Sequence, residues 1–208
     1  MGVTALIDYG SGNIRSVEKA LAAAGADVRV TADPDAIRAA ERIVLPGQGA
    51  FADCMNGLTA RDGAIAALQE RVIAGGAPFL GICVGMQLLA TRGLEFGETP
   101  GLDWIAGVCR PLERRDPWIR IPHMGWNEAR VVRAHPVFDA LAPASHMYFM
   151  HSFVHQPADA HHIATETAHG EAFASAIARD NLIGVQFHPE KSQTRGLAFL
   201  AAFLAWRP

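Results

Sequence analysis

The residue best suited to covalent chemistry is Cys83, which stands between two glycines in the segment GICVG. A nucleophile flanked by glycines is typical of a strand-to-helix turn that lifts the side chain above the edge of a sheet. The glycines are expected because side chains at those positions would collide with the adjoining strand and helix. The helix predicted to follow, Val84 to Thr91, would favour the thiolate through the partial positive charge at its N-terminus. The alternative is that Cys83 is a small core residue, as most free cysteines are. Cys54 and Cys109 have no comparable sequence context and are interpreted as core or surface residues.

A thiol nucleophile needs a base, and the best candidate among nine histidines is His188 in the segment GVQFHPEK. The apolar strand predicted at Leu182 to Phe187 would deliver His188 to its C-terminal end. Glu190 would point the same way, because side chains two residues apart share one side of a strand. A carboxylate beside an imidazole holds its tautomer and stabilises the imidazolium. The pattern therefore predicts a triad of Cys83, His188 and Glu190.

The segment PGQGAF follows a strand predicted at Arg42 to Leu45 and is the candidate oxyanion hole. Gly47 and Gly49 leave backbone N–H groups free to approach a ligand. A second donor would be the N–H of Val84, directly after the nucleophile. A phosphate-binding loop is the competing interpretation, but the chain has neither a G-x-G-x-x-G pattern nor a Walker lysine.

Strands and helices alternate in the first half of the chain, which predicts a parallel sheet covered on both faces. The predicted strands there lie at 4–8, 27–31, 42–45 and 79–82, and the predicted helices at 14–24, 34–40 and 61–73, with Asp33 capping the second helix. The second half is expected to be partly antiparallel, with strands at 108–111, 128–132, 147–154, 162–167, 174–178 and 182–187 before a final helix at 195–206. The predicted fold class is therefore α/β, with a central, mixed but mostly parallel sheet flanked by helices.

Composition narrows the class of protein. The chain has 208 residues, 50% of them hydrophobic and 19% charged, which favours one globular domain spanning residues 1–208. A net charge of −3 without an extended run of Lys or Arg excludes a basic surface for nucleic acid or an anionic membrane. Three widely spaced cysteines and the lack of a secretory signal predict a cytoplasmic protein without disulfides. No cofactor is expected, and no metal, because the histidines at 151, 155, 161 and 162 lack Cys, Asp or Glu at a matching spacing.

Taken in order, the segments PGQGAF, GICVGMQLL, IPHMGWN, YFMHSF and GVQFHPEKS resemble a class I glutamine amidotransferase. The GICVG and FHPE segments are shared across that class. IPHMGWN and YFMHSF are similar to the glutaminase subunits of imidazole glycerol phosphate synthases, which serve histidine biosynthesis. The resemblance covers essentially the whole chain and implies a flavodoxin-like fold. It also implies thiolate attack on the side-chain amide of glutamine, release of ammonia and hydrolysis of a γ-glutamyl thioester.

The resemblance assigns roles to particular residues. It implies that Cys83 is the nucleophile, His188 the acid and base, and Glu190 the group that orients His188. Gly49 and Val84 fall at the oxyanion-hole positions. The positions expected to bind glutamine are Gly47, Gln87, Glu95, His151 and Ser152. The residue types agree, because a carboxylate can pair with the substrate ammonium and a serine hydroxyl can bind its carboxylate.

A partner is implied as well, a (β/α)₈-barrel cyclase that forms a heterodimer with the glutaminase. The cyclase joins the ammonia to a phosphoribulosyl nucleotide and forms imidazole glycerol phosphate and an aminoimidazole carboxamide ribotide. Ammonia would be lost to protonation in bulk water, so the site should face a sealed partner. The matching interface positions are Asn13, Trp126, Tyr148 and Lys191. Their alternative interpretations are a helix cap, two core aromatics and a solvated lysine.

Gln48 departs from the family pattern, in which Val is more usual at this place in PGVGAF. The resemblance implies that this loop reorients when the cyclase is loaded, so Gln48 could alter that coupling. Two alternatives to the histidine-pathway glutaminase stay open. One is a paralogous subunit that supplies ammonia to a different synthase, for instance in sugar amidation. The other, from a different class, is a catalytically silent binding subunit or a stand-alone thiol hydrolase.

Overall fold

The computed structural model describes residues 2–208, and within them the chain forms thirteen strands, six α-helices and one π-helical segment. The strands are β1 Thr4–Ile7, β2 Val28–Thr31, β3 Arg42–Gly47, β4 Phe79–Cys83, β5 Arg92–Gly93, β6 Thr99–Pro100, β7 Gly107–Pro111, β8 His123–Val131, β9 Ala144–His151, β10 Phe153–Pro157, β11 Ile163–His169, β12 Glu171–Arg179 and β13 Leu182–Val185. The α-helices are α1 Ile14–Ala23, α2 Pro34–Ala39, α3 Phe51–Thr59, α4 Ala64–Leu68, α5 Val84–Gln87 and α6 Gln193–Ala205. The π-helical segment is Gln69–Ala74, and short 3-10 helices lie at Phe138–Leu141, Ala160–His162 and Pro189–Lys191.

Nine strands form the main sheet in the order β2-β1-β3-β4-β13-β12-β11-β8-β9. Neighbours from β2 to β13 pair in parallel, and neighbours from β13 to β9 pair antiparallel. Every residue of β1, β3, β4 and β13 is buried. Parallel strands reach that burial when helices cover both faces of the sheet. The predicted α/β fold with a mixed sheet is therefore confirmed. A smaller second sheet has the order β10-β7-β5-β6.

Side-chain caps begin the first two helices. Asp33 accepts a hydrogen bond from the Ala36 N–H at 2.8 Å, directly before Pro34 opens α2, as the sequence predicts. Asn13 accepts a longer hydrogen bond from the Ser16 N–H at 3.4 Å and begins α1. Both helices thus start where a polar side chain satisfies a backbone donor that has no partner inside the helix.

Several predicted elements are wrong in extent. The helix expected at 61–73 starts only at Ala64 and continues as the π-helical segment, while α3 was missed. The missed helix, α3, contains Asn56 and Gly57, which are poor helix formers. It forms because burial of its apolar face outweighs their low helix propensity. The strand expected at 147–154 is two strands, β9 and β10, which belong to different sheets because the chain bends at Ser152. The strand expected at 128–132 begins five residues earlier, at His123.

The buried apolar side chains form one hydrophobic cluster that extends from β1 to Trp206 after α6. Within this cluster, side chains of the parallel strands pack against side chains of the helices, and this packing fixes the positions of the carboxyl ends of the strands. Within residues 2–208, no helix has the length and apolar character needed to span a membrane.

Candidate active site

Cys83 is the last residue of β4 and lies in a strained turn before α5. Its backbone has φ +55° and ψ −113°, a conformation that costs a non-glycine residue about 1–3 kcal/mol. Gly81 and Gly85 leave no room for a side chain: a Cβ on Gly81 would lie 2.5 Å from the Gly85 carbonyl oxygen, and one on Gly85 would overlap the carbonyl oxygen of Leu45. The turn therefore has the geometry that the GICVG pattern predicts, for the steric reason given above.

The helix after Cys83 is shorter than predicted. α5 ends at Gln87 instead of Thr91, and the chain continues in turns, with Leu89 donating to the Met86 carbonyl at 3.1 Å. A helix of four residues has too few aligned peptide dipoles for the predicted effect on the thiolate. The sulfur instead accepts a hydrogen bond from the side-chain amide of Gln186 at 3.6 Å.

His188 and Glu190 form a buried pair next to this turn. Nδ1 of His188 lies 2.8 Å from Oε1 of Glu190, and the two side chains are 2% and 1% exposed. The predicted strand ends at Val185, and Glu190 reaches the imidazole through the 3-10 helix Pro189–Lys191, so the strand alternation predicted for this residue is wrong. Two further bonds hold the His188 backbone. Its N–H donates to the Tyr148 carbonyl at 2.8 Å, and its carbonyl accepts from the Ser192 hydroxyl at 2.6 Å.

The imidazole of His188 is held in its charged form. Burial lowers its pKa, but the nearby Cys83 sulfur and the hydrogen bond and negative charge of Glu190 outweigh burial and raise the pKa to about 9. Nε2 is buried and has no partner in hydrogen-bond geometry among the described residues. It is therefore the ring nitrogen that remains available for proton transfer next to the sulfur of Cys83.

A cavity of about 210 Å³ opens at the carboxyl ends of β3 and β4. It is lined by Gln48, Gly49, Cys83, Val84, Gln87, Glu95, Pro122, Met150, His151, Ser152, Phe153 and His188. The bend at Ser152 brings the β9–β10 junction to this cavity. Glu190 stands behind His188, outside the lining.

Gly47 is the one predicted ligand-binding position that the structure keeps out of the lining. A Cβ on Gly47 would lie 2.7 Å from the Gly85 nitrogen and 2.8 Å from Cβ of Val84. Its small size serves close packing of β3 against α5, and the ligand contact expected at Gly47 stays a prediction.

The polar side chains of the cavity are held by specific bonds. Oε2 of Glu95 accepts from the Phe51 N–H at 2.7 Å, which fixes the carboxylate at the start of α3. Nε2 of Gln87 donates to the Phe153 carbonyl at 2.9 Å and to Oε1 of Gln186 at 3.1 Å. These contacts leave the far ends of both side chains in defined positions at the cavity wall.

His151 contributes to the cavity as a neutral ring. Its Nδ1–H donates to the Phe153 carbonyl at 3.0 Å, so its Nε2 accepts from Nδ1 of His123 at 2.9 Å. Burial, aided by His123, lowers the pKa of His151 to about 3, and burial lowers that of His123 to about 4. Because both ring nitrogens are occupied, His151 can offer a ligand its backbone and ring face but no free ring nitrogen.

The loop that carries Gln48 is tied to the first β–α turn. The Ser11 hydroxyl donates to the Gln48 carbonyl at 2.5 Å and accepts from the Gln48 N–H at 3.3 Å. The Cys54 thiol donates to the same carbonyl at 3.3 Å, and burial raises the pKa of this thiol. The sequence predicts Cys54 and Cys109 to be core or surface residues, and in the structure both are buried.

Three of the four predicted interface residues form one surface group. Trp126 is 48% exposed and packs edge-on against Tyr148 with ring centroids 6.1 Å apart. Nζ of Lys191 lies 5.8 Å from the Tyr148 ring centroid. The alternative interpretation of Trp126 as a core aromatic is therefore wrong, whereas Asn13 does cap α1. The backbone bond between Tyr148 and His188 links this surface group directly to the catalytic candidates.

The sequence patterns do not predict Gln186 as a neighbour of the sulfur. The available signal was a fully buried amide within the apolar run LIGVQF, where an uncompensated polar side chain is costly. Among the described residues, no group of three or more His, Cys, Asp or Glu side chains is arranged to hold a metal ion.

Comparison with known proteins identifies the family of this chain. Residues 5–205 match the family described as glutamine amidotransferase class-I, and the chain belongs to that family. Two curated relatives carry the name imidazole glycerol phosphate synthase subunit HisH. One, from Caulobacter vibrioides, is 54% identical over 100% of both chains. The other, from Zymomonas mobilis, is 50% identical over 98% of this chain and 96% of the relative.

A solved structure shows the same fold at low sequence identity. It is PurLQS from Thermotoga maritima, which is 18% identical and has a TM-score of 0.74 over 98% of each chain. At that identity, the likeness concerns the fold alone.

Proposed function

We propose that this chain is the glutaminase subunit of an imidazole glycerol phosphate synthase and supplies ammonia for histidine biosynthesis. The observation that carries the proposal is the strained Cys83 turn beside the buried His188–Glu190 pair, in a chain about half identical to HisH subunits over its full length. A complete set of nucleophile, base and orienting acid argues against a silent binding subunit.

The reaction follows from the chemistry of these groups. The Cys83 thiolate attacks the side-chain amide carbon of glutamine, and the oxygen that becomes negative is held by the N–H groups of Gly49 and Val84. His188, protonated at neutral pH because its pKa lies at about 9, gives its proton to the nitrogen, and ammonia leaves. A water molecule then attacks the thioester with His188 as base. The S–C bond breaks, and glutamate is released with the thiolate restored.

Glu190 orients His188 in both steps. Its carboxylate accepts from Nδ1–H at 2.8 Å, which leaves Nε2 to exchange the proton on the side of the sulfur. The low exposure of both side chains keeps water from competing for this bond.

The cavity residues account for recognition of glutamine. Glu95, with one oxygen fixed by the Phe51 N–H, would pair with the α-ammonium group. Ser152 would bind the α-carboxylate, and Gln87 the polar atoms between them. His151 would act through its backbone, because both of its ring nitrogens are engaged.

The proposed partner is the (β/α)₈-barrel cyclase, which would dock on the surface of Trp126, Tyr148 and Lys191 and form a heterodimer. Such docking would cover the outlet of the cavity and keep ammonia from bulk water. The three free cysteines suit a reducing compartment, so we place this reaction in the cytoplasm.

Glutamate release tests the proposal. The purified chain is assayed with glutamine, alone and with its cognate cyclase carrying the nucleotide substrate. We expect activity to depend on the loaded cyclase and to be lost in Cys83→Ala, while Cys109→Ala, a buried cysteine outside the cavity, keeps it. Equal activity with and without the cyclase would favour a stand-alone hydrolase. Inactivity in both states would point to another partner or a silent subunit.

A further inference from the structure

Gln186 is a fully buried polar residue that contacts the reacting sulfur. Its exposure is 0%, and its Nε2 lies 3.6 Å from Sγ of Cys83. The contact is a result of strand pairing: β13 lies parallel to β4 with Val185 opposite Ile82, so Gln186, directly after β13, stands beside Cys83, the last residue of β4. A residue 103 positions away along the chain is thus held next to the nucleophile.

The orientation of this amide is determined by its neighbours. The Phe153 carbonyl can only accept, so the NH₂ group of Gln87 must face it, at 2.9 Å. The same NH₂ group donates to Oε1 of Gln186 at 3.1 Å. Oε1 of Gln186 therefore faces Gln87, and its NH₂ group faces the sulfur. This chain of bonds presents a donor, and not an acceptor, to Cys83.

We propose that Gln186 is a catalytic residue that donates a hydrogen bond to Sγ of Cys83 and favours the thiolate, while Gln87 acts as the positioning residue that holds the Gln186 amide. A donor at a sulfur stabilises the anionic form more than the neutral form, because charge-assisted hydrogen bonds are stronger. The role of Gln186 in catalysis rests on the proposed function. Its contact with the sulfur is independent of that function.

The donor would act twice in the reaction without exchanging a proton itself. Before attack it favours the nucleophilic thiolate, whose electron pair forms the S–C bond. During hydrolysis the S–C bond breaks and its electron pair returns to sulfur, so the same N–H stabilises the leaving thiolate. This contribution replaces the helix effect that the four residues of α5 are too few to supply.

The test is alkylation of Cys83 by iodoacetamide as a function of pH, on the full chain without glutamine or cyclase. Gln186→Met keeps an unbranched side chain but removes the donor. We expect the midpoint of its alkylation profile to rise by about one pH unit, from the strength of a hydrogen bond to a charged group. Gln69→Met, at an exposed position remote from the cavity, is the matched control, and Cys83→Ala identifies the Cys83 signal.

A second variant tests the proposal if Gln186→Met does not fold. Gln87→Met leaves Gln186 in place but frees its amide to rotate, so the profile should shift in the same direction by a smaller amount. A Gln186→Met profile that overlays the wild type overturns the proposal. If Gln186→Met does not fold, an unshifted Gln87→Met profile overturns it instead. Because no substrate is present, a shifted profile in a chain that releases no glutamate would contradict only the proposed function.

Discussion

Replacement of Glu190 by Gln isolates the contribution of the Glu190 charge to the raised pKa of His188. The carboxylate lies 2.8 Å from Nδ1, and both side chains are almost completely buried. An amide oxygen can still accept from Nδ1–H, so the variant keeps the shape and the bond but removes the negative charge. The change therefore separates the electrostatic effect of Glu190 from its packing.

The size of the effect follows from hydrogen-bond strengths. A bond to a charged group contributes about 1.5–3 kcal/mol and a neutral one about 1 kcal/mol, so the pKa of His188 should fall from about 9 by roughly one unit. Folding stability is linked to this shift. The raised pKa stabilises the folded chain fully below the ordinary value of 6.5, by up to about 3 kcal/mol, and this contribution is lost as pH rises through about 9.

The assay is an NMR titration of the His188 imidazole in the wild type and in Glu190→Gln, together with urea unfolding between pH 6.5 and pH 9. We expect the variant to titrate at lower pH and to lose less stability across that range. Glu166→Gln, at a largely exposed pair with Arg130, is the matched control and should leave the His188 midpoint in place. A wild-type midpoint near 6.5, or a midpoint unchanged by Glu190→Gln, would refute the reasoning.

Three further predictions follow from the same structure. Gly85→Ala should destabilise the chain by about 3 kcal/mol in urea unfolding, because its methyl group would overlap the Leu45 carbonyl, and an unchanged midpoint would contradict this. Glu171→Gln should cost about 3 kcal/mol, since it removes the negative charge that pairs with Arg110 and one of the two oxygens that Arg110 contacts at 2.7 and 2.8 Å. Burial raises the pKa of Glu171, but hydrogen bonds from Arg110 and a backbone N–H lower it below 4.5. The resulting stabilisation is complete above pH 4.5 and is lost in acid, in the wild type only. Parallel profiles of stability against pH for the two chains would argue against this prediction. Gln48→Val should leave stability unchanged within about 0.5 kcal/mol and alter the stimulation of glutaminase by the cyclase, and identical stimulation would count against a role for this residue.

Local features of this protein were readable from its sequence. The cap at Asp33, the alternation of strands and helices, and the glycines around Cys83 each depend on residues close together in the chain. Their physical causes are backbone donors that need a partner, side-chain periodicity and steric exclusion, which act over a few positions. The fold class and the candidate nucleophile were predicted for this reason.

Element bounds were less predictable, because packing overrides local propensity. α3 forms despite Asn56 and Gly57, and the bend at Ser152 divides one apolar run between two sheets. Glu190 illustrates the same limit: its partner was predicted, but the 3-10 helix that brings it there was not.

The composition of the site was decided by tertiary structure. The pairing of β13 with β4 places Gln186 and His188 beside Cys83, although more than 100 residues separate them in sequence. Burial opposes the charge on His188, and only the nearby Cys83 and Glu190 reverse that effect. The sequence by itself determined which residues could do the chemistry. Their protonation states and hydrogen-bond partners arose from the folded structure, because both depend on distances and burial that exist only after the sheet has assembled.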